Sequence, residues 1–243
     1  MHTDKNTFDL SGRVAVVIGA TSGLGLTLAS GLAAHGATVV PTGRRALDLP
    51  CDVGSRECVD RFRDAVLARH GRVDILLNAA GQTLKCPVQD TTEEDWARIF
   101  DVSLTGTLRT CQSFYEPLKA NGRGRVINIA SLGSFLAFHQ VAAYCAAKTG
   151  VLSLTRSLAC EWAKDGISVN AIAPGIFPTD LNRKLIDGTP RGKELLMRTP
   201  MGRFGNAEEL VGLTVLLASD GASFLTGQCI GVDGGFLASG VNS

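Results

Sequence analysis

Apolar residues along this chain fall into two rhythms. Short, nearly unbroken runs rich in valine and isoleucine stand at 13–19 (RVAVVIG), 37–43 (ATVVPTG), 73–81 (VDILLNAAG), 124–131 (GRVINIAS), 167–175 (ISVNAIAPG) and 229–235 (CIGVDGG). Helix-like stretches lie between them at 23–36, 55–70, 91–120, 143–163 and 207–219, the first closed by a glycine. A short run that is apolar at every position reads as a strand buried on both faces, and its alternation with helices predicts a parallel sheet with helices on either side. No linker, repeat or low-complexity tract interrupts the pattern, so residues 1–243 read as a single domain.

One junction breaks the rhythm. In VVPTGRRALDLPCDV (39–53) a second strand exit appears at Cys51–Asp52–Val53. Only five residues, Ala46, Leu47, Asp48, Leu49 and Pro50, separate Arg45 from Cys51. A parallel crossover needs at least ~10–12 residues, usually including a helix. Either the third strand is lost or rudimentary, or the chain crosses in an irregular form, or a loop is absent from the sequence.

Composition narrows the function classes. Hydrophobic residues make up 45% and charged residues 19%, enough apolar side chain for a substantial core. Twenty-four basic residues nearly cancel twenty-three acidic ones, so no global field points to nucleic acid or an anionic membrane. No segment approaches the ~18 apolar residues of a membrane span. The opening MHTDKNTFDLSGR is polar and lacks a signal-peptide run, which makes a cytoplasmic location the expectation. Cysteines at 51, 58, 86, 111, 145, 160 and 229 are odd in number and form no CxxC, so reduced thiols are expected. Histidines at 2, 35, 70 and 139 do not cluster with them, and no metal site is expected.

Candidate chemistry begins where the first strand runs into GATSGLG, Gly19 to Gly25, with glycines spaced GxxxGxG. Such a turn lets backbone approach a pyrophosphate, and the helix behind it supplies free N–H groups and the positive end of its dipole. Further on, YCAAK places Tyr144 and Lys148 four residues apart, on one helix face. A nearby ammonium favours the phenolate, so the tyrosine would exchange protons nearer neutral pH. Ser131 ends a buried strand, at the sheet edge where open α/β folds bind ligands.

Taken in order, the GxxxGxG turn at 19, NAAG at 78, Ser131, YxxxK at 144 and PG at 174 resemble the short-chain dehydrogenase/reductase family, over essentially the whole chain from Phe8 to Leu237. The resemblance implies a three-layer, doubly wound Rossmann fold with a mostly parallel sheet of about seven strands, carrying NAD(P) across the C-terminal edge of that sheet. It implies that Ser131 orients the substrate oxygen, Tyr144 is the general acid or base, and Lys148 tunes the tyrosine and holds the nicotinamide ribose. Gly19, Ser22, Gly23, Leu24 and Gly25 would line the pyrophosphate and adenosine ribose. Asp52 and Val53 would flank the adenine, and Asn78, Ala79 and Gly81 would pack along the cofactor. Pro174, Gly175, Ile176 and Thr179 would flank the nicotinamide. The family usually has asparagine where this chain has Ser103, in a relay that connects the lysine to solvent. Either Ser103 rearranges that relay or it is a hydroxyl bonded within a buried helix.

Cofactor choice is expected at the end of the second strand. No carboxylate follows Thr42–Gly43; Arg44 and Arg45 do, and a guanidinium can grip the 2′-phosphate of NADP. NADP is therefore preferred, with NAD as the alternative. Substrate choice falls to 132–143, where His139 and Gln140 can hydrogen-bond a polyol, and to a lid at about 176–200. That lid carries Arg183, Lys184, Arg191, Lys193 and Arg198 against Asp180, Asp187 and Glu194, an excess of base suited to a carboxylate. Segments 8–25 and 200–235 are similar to the sugar-acid dehydrogenase branch of the family, gluconate 5-dehydrogenases among them, so the expected reaction interconverts a secondary alcohol and a ketone on a sugar acid or polyol. A 3-oxoacyl-[acyl-carrier-protein] reductase is the alternative, with Arg109, Arg123 and Arg125 as docking candidates. A non-catalytic nucleotide sensor is the alternative of another class. The resemblance also implies a homotetramer or homodimer packed through the helices at 91–120 and 143–163. The apolar end GGFLASGVN is expected to dock, with a subunit interface as one candidate place.

Overall fold

The computed structural model of the chain describes residues 6–179, 182–240 and 242, without the Leu185 side chain. His2, Asp180 and Val241 lie outside the described residues. β1 (Val14–Ile18), α1 (Gly23–Ala34) and β2 (Thr38–Thr42) come first, followed by α2 (Arg56–His70) and β3 (Ile75–Asn78). Next come α3 (Glu93–Phe100), α4 (Gly106–Ala120), β4 (Arg125–Ile129), α5 (Ala142–Trp162) and β5 (Ser168–Pro174). The short α6 (Arg183–Ile186) and α7 (Pro190–Met197), then α8 (Val211–Ala218), lead to β6 (Cys229–Val232). Every pairing is parallel, in the order β2-β1-β3-β4-β5-β6.

β1 explains why these strands are apolar throughout. Val14, Val16 and Ile18 join a core containing Phe62 and Val66 of α2 and Phe114 and Leu118 of α4. Ala15 and Val17 join the opposite core, with Leu28 and Leu32 of α1 and Val215 and Leu217 of α8. Side chains alternate across a strand, so burial on both faces demands an apolar residue at each position. The result is the three-layer, doubly wound arrangement that the alternation implied.

The sheet has six strands among the described residues, not about seven. No strand forms at 44–55; a loop does. The Gly43 carbonyl accepts from Ala46 N at 3.1 Å and Cys51 N at 3.2 Å, and the Thr42 hydroxyl donates to the Leu49 carbonyl. Cys51 and Val53, which read as a strand exit, are instead buried in the α2/α4 core. β2 thus becomes the edge strand. Thr38 N bonds Arg13 O and Thr42 O accepts from Gly19 N, so residues 38, 40 and 42 face β1. Pro41 therefore points its nitrogen outward, where a missing N–H costs no ladder bond and discourages strand addition.

The expected helix at 91–120 is broken in the middle. Residues Asp101–Thr105 form a π turn between α3 and α4. Such wide turns concentrate at functional sites, and this one presents Ser103 inward, fully buried.

Candidate active site

The strand order reverses at β1, which has β2 on one side and β3 on the other. The crevice outside the C-terminal strand ends at this switch point is where open α/β sheets take ligands. The glycine turn lies there. A Cβ on Gly19 would sit 2.6 Å from Ala80 N, and one on Gly25 would sit 2.2 Å from the Gly19 carbonyl oxygen. These two glycines let the turn pack against itself and the exit of β3. Gly23 differs: a Cβ there would meet only Thr179, at 3.8 Å, so its outer side is open. Ser22 is the N-cap of α1 but makes no side-chain cap bond, and the first turn holds no acidic residue. Its N–H groups and dipole are left to an anion. Leu24 is half-buried behind the turn.

On the next strands the reactive groups converge. Ser131 follows β4 and caps a short turn, its Oγ accepting from Gly133 N at 3.0 Å. Tyr144 is the third residue of α5, and its hydroxyl lies on the side of Ser131. Gly133 allows the approach: a Cβ there would lie 2.8 Å from Cys145 Sγ. Lys148, one turn on, is 4% exposed and donates from Nζ to Ile129 O at 2.6 Å. Its ammonium lies 5.9 Å from the centroid of the Tyr144 ring.

The electrostatics differ from the sequence expectation. Burial pushes the Tyr144 phenol above its ordinary range, and the Ser131 hydrogen bond works against that rise. The Lys148 ammonium donates to the Ile129 carbonyl rather than to the phenol. Desolvation in turn brings Lys148 down from 10.5 to about 8.

Ser103 sits beside this group. Its Oγ accepts from Gln82 N at 3.1 Å and donates to Gln82 O at 3.3 Å. A Cβ on Gly81 would lie 3.5 Å from Lys148 Nζ and 3.8 Å from Ser103 Oγ. One hydroxyl thus fixes the segment that runs past the lysine. Ala79 is bonded through its N–H to Ile18 O at 2.9 Å. Asn78 turns inward: its amide donates to Asn128 Oδ1 at 2.9 Å and its Oδ1 accepts from Thr110 Oγ1 at 2.8 Å. Asn128 continues the chain to Thr155 Oγ1 at 3.0 Å. Only the Asn78 backbone is left for the crevice. The sequence reading passed over Asn128; a second asparagine in an apolar strand, in register with Asn78, was the available signal.

At the adenosine end, Asp52 is exposed and its Oδ1 accepts from Gly54 N at 2.9 Å. The Val53 carbonyl is held by Arg109 Nη1 at 3.0 Å, and Arg109 also pairs with Asp101 at 2.7 Å. Arg109 is therefore a brace between this loop and the π turn, not a docking residue. Arg125 is buried and bonds Ser219 O at the opposite edge of the sheet, so it is not one either. Arg44 and Arg45 are exposed and in no ion pair among the described residues, whereas Asp48 is held by Arg69 at 2.5 Å. The backbone at Gly43 packs against Thr21 of the glycine turn, which brings the arginine loop to its rim.

Past β5, Pro174 is buried, while Gly175 and Ile176 are half-buried. Thr179 accepts Asn182 N at 3.1 Å and bonds Asn182 Oδ1 through its own N–H at 2.8 Å, which fixes it opposite Gly23. Residues 183–197 form α6 and α7, whose Ile186 and Leu195 pack with Leu132 and Phe236. The apolar tail thus docks through Phe236 in its own chain. Arg191 of α7 donates to His139 O at 3.1 Å, and Gln140, at φ 66°, accepts Cys86 N at 2.7 Å. These contacts use backbone carbonyls, leaving the His139 and Gln140 side chains at the rim. A cleft of about 430 Å³ beside the lid is lined by Ile176, Thr199, Met201 and Asp233 and does not include Ser131 or Tyr144. Among the described residues no three histidine, cysteine or acidic side chains converge as metal ligands, and no helix is long and apolar enough to cross a membrane.

The family model described as enoyl-(acyl carrier protein) reductase matches residues 19–237. The chain belongs to the short-chain dehydrogenase/reductase family. Within that family it is 37% identical to D-threitol dehydrogenase of Mycolicibacterium smegmatis over 94% of both chains. It is 36% identical to gluconate 5-dehydrogenase of Gluconobacter oxydans, over 96% of this chain and 97% of the other. The crystal structure of a gluconate 5-dehydrogenase from Burkholderia cenocepacia, in complex with NADP and tartrate, superposes with a TM-score of 0.93 at 37% identity, covering 96% of this chain and 98% of that one. Like these family members, the chain is an oxidoreductase acting on CH–OH groups.

Proposed function

We propose that this dehydrogenase interconverts a secondary alcohol and a ketone on a sugar acid or polyol, with NADP(H) preferred over NAD(H). The observation that carries the reading is the Ser131–Tyr144–Lys148 set, gathered at the sheet edge beside the open first turn of α1.

The residues present fit a dinucleotide. The uncapped turn at Gly23–Gly25 suits a pyrophosphate, with Ser22 and Leu24 at its rim. Lys148 is buried with a single carbonyl partner, which leaves ammonium donors for ribose hydroxyls. Arg44, with Arg45 behind it, is free for a 2′-phosphate because the competing Asp48 is engaged. Asp52 and Val53 would take the adenine side, and the backbone of Asn78, Ala79 and Gly81 would run along the cofactor. Pro174, Gly175, Ile176 and Thr179 would hold the nicotinamide. When bound, the cofactor supplies or accepts the hydride.

The chain's own residues handle the proton. Ser131 Oγ holds the substrate oxygen beside Tyr144 Oη. In the reductive direction Tyr144 donates its proton to that oxygen, and in the oxidative direction it takes one up. Two hydroxyl donors meet the charge that develops there. Ser103, through Gln82, keeps the Gly81 segment against Lys148, the route by which the proton is replaced.

Relatives acting on gluconate and threitol, and a solved neighbour holding tartrate, support a polyhydroxylated and often anionic substrate. The cationic lid suits the acid. Against an acyl-carrier partner stands the fact that Arg109 and Arg125 are already committed to Val53 O and Ser219 O. We further infer a cytoplasmic enzyme, supported by seven free thiols, and a homodimer or homotetramer formed through α4 and α5, where Leu108, Tyr115, Leu154 and Trp162 line an open cleft.

Steady-state kinetics with both cofactors over keto sugar acids, neutral polyols and 3-oxoacyl thioesters test the reading. The highest kcat/KM is expected with NADPH and a keto sugar acid. Preference for a thioester would move the substrate class, and preference for NADH would overturn the cofactor. Tyr144→Phe should abolish turnover and keep NADPH binding. If the wild type binds NADPH and turns over nothing in the panel, the sensor reading stands instead.

A further inference from the structure

Seven cysteines are dispersed along the sequence, yet two meet in the loop that replaces the missing crossover. Cys58, on the first turn of α2, places its Sγ 3.3 Å from Asp52 N and 3.9 Å from Pro50 O. Its sulfur thus touches the backbone on both sides of Cys51. Held at both of these points, the Cys58 sulfur is seated against Cys51 itself. Cys51 is 1% exposed within the core, and Cys58 is half-buried at its edge. Neither belongs to the catalytic group, and the pairing exists only because the chain turns straight from β2 into this loop.

We propose that Cys51 and Cys58 form an oxidisable dithiol, a modification site that closes to a disulfide and loosens the adenosine end of the cofactor site. The oxidant is a peroxide. The Cys58 sulfur attacks one peroxide oxygen; the O–O bond breaks, giving a Cys58 sulfenic acid and one water. The Cys51 sulfur then attacks the Cys58 sulfur; the S–O bond breaks, the disulfide forms, and the Cys51 proton leaves with the hydroxide as a second water. Two thiols lose two electrons, and one hydrogen peroxide becomes two waters. The order of attack follows from access. Burial, with Cys58 and Asp52 alongside, pushes the Cys51 thiol up to about 12, so it waits as the resolving partner.

With Cys58 Sγ already against the backbone on either side of Cys51, closure brings the two sulfurs to a bond of about 2.05 Å by local side-chain movement. To do so, Cys58 Sγ leaves Asp52 N, and Cys51 N is bonded to Gly43 O, the residue that starts the arginine turn. Closure therefore shifts Asp52 and the base of Arg44 together. This consequence rests on the adenosine placement proposed above, while the linkage itself does not.

The test treats the folded, reduced enzyme with hydrogen peroxide, maps linkages by peptide mass spectrometry and measures NADPH affinity by fluorescence. The expected result is a Cys51–Cys58 linkage, lighter by two hydrogens, with a severalfold weaker NADPH Kd. Dithiothreitol should restore both values. Cys58→Ser should bind NADPH as the reduced wild type does and lose the response. Oxidation of exposed Cys160 with no Cys51–Cys58 linkage would overturn the proposal, as would a linkage that leaves NADPH affinity unchanged. Absence of NADPH binding in the reduced wild type is a different failure, that of the cofactor assignment, and the mass of the linked peptide still decides whether the dithiol closes.

Discussion

Lys148 concentrates the conflict between stability and function in one side chain. Its charge is 4% exposed and has one carbonyl partner, and desolvation brings it from 10.5 to about 8. A folded-state value below the unfolded one means that the unfolded chain holds more protons between about pH 8 and 10.5, so stability rises with pH across that window. Below it the penalty is constant, on the order of 3 kcal/mol for a shift of this size. Lys148→Met should therefore raise Tm at pH 7 while abolishing turnover, and the gain should shrink as pH approaches 10.5. Thermal denaturation of both proteins at pH 7 and pH 10 checks the sign; a Met variant less stable at pH 7 would show that the lost Ile129 bond outweighs the relieved charge. The sequence located Lys148 and Tyr144 by their spacing. It did not disclose the burial that pushes the tyrosine up, because proximity along a helix says nothing about desolvation.

At the scale of elements, the glycine turn and the π turn are the two devices that shape the crevice. The turn was legible in the sequence as a glycine pattern, but the pattern did not separate the glycines that pack from the one that opens outward. Gly19, at φ 84° and against Ala80 N, belongs to the first kind. Gly19→Ala should cost about 1–3 kcal/mol of strain and clash. Cofactor affinity should fall with it, as a shift in Tm together with a raised NADPH KM would show. The π turn was not legible at all. Residues 91–120 carry a helical pattern throughout, and the turn that widens at Ser103 is where Gln82 bonds Ser103 and Val53 packs against Gly106. The Ser103 hydroxyl satisfies both Gln82 backbone groups, a purpose that spacing alone does not disclose.

Across the whole molecule, the shortened crossover is the main departure from the expected architecture. It removes a strand and a helix, leaves β2 at the sheet edge with Pro41 facing outward, and puts a loop beside the glycine turn. Arg44 and Arg45 are consequently exposed, without ion-pair partners among the described residues, on a loop whose Gly43 packs against Thr21 of the glycine turn. Arg44→Ala should raise the KM for NADPH by about tenfold, the equivalent of one charge-assisted contact. The KM for NADH should stay nearly unchanged. Equal effects on the two cofactors would assign the 2′-phosphate to another residue.

By itself the sequence determined the layered parallel fold and the order of the reactive groups. Burial on two faces forces apolar strands, and a tyrosine–lysine pair at helical spacing needs no tertiary contact to share a face. Only the tertiary structure decided which polar residues look into the crevice. Asn78 turns inward because Asn128 stands in register beside it, Arg109 is spent as a brace, and Cys51 meets Cys58 because the chain has too few residues to cross the sheet. Those outcomes depend on which groups compete for each partner, and that competition is set in three dimensions.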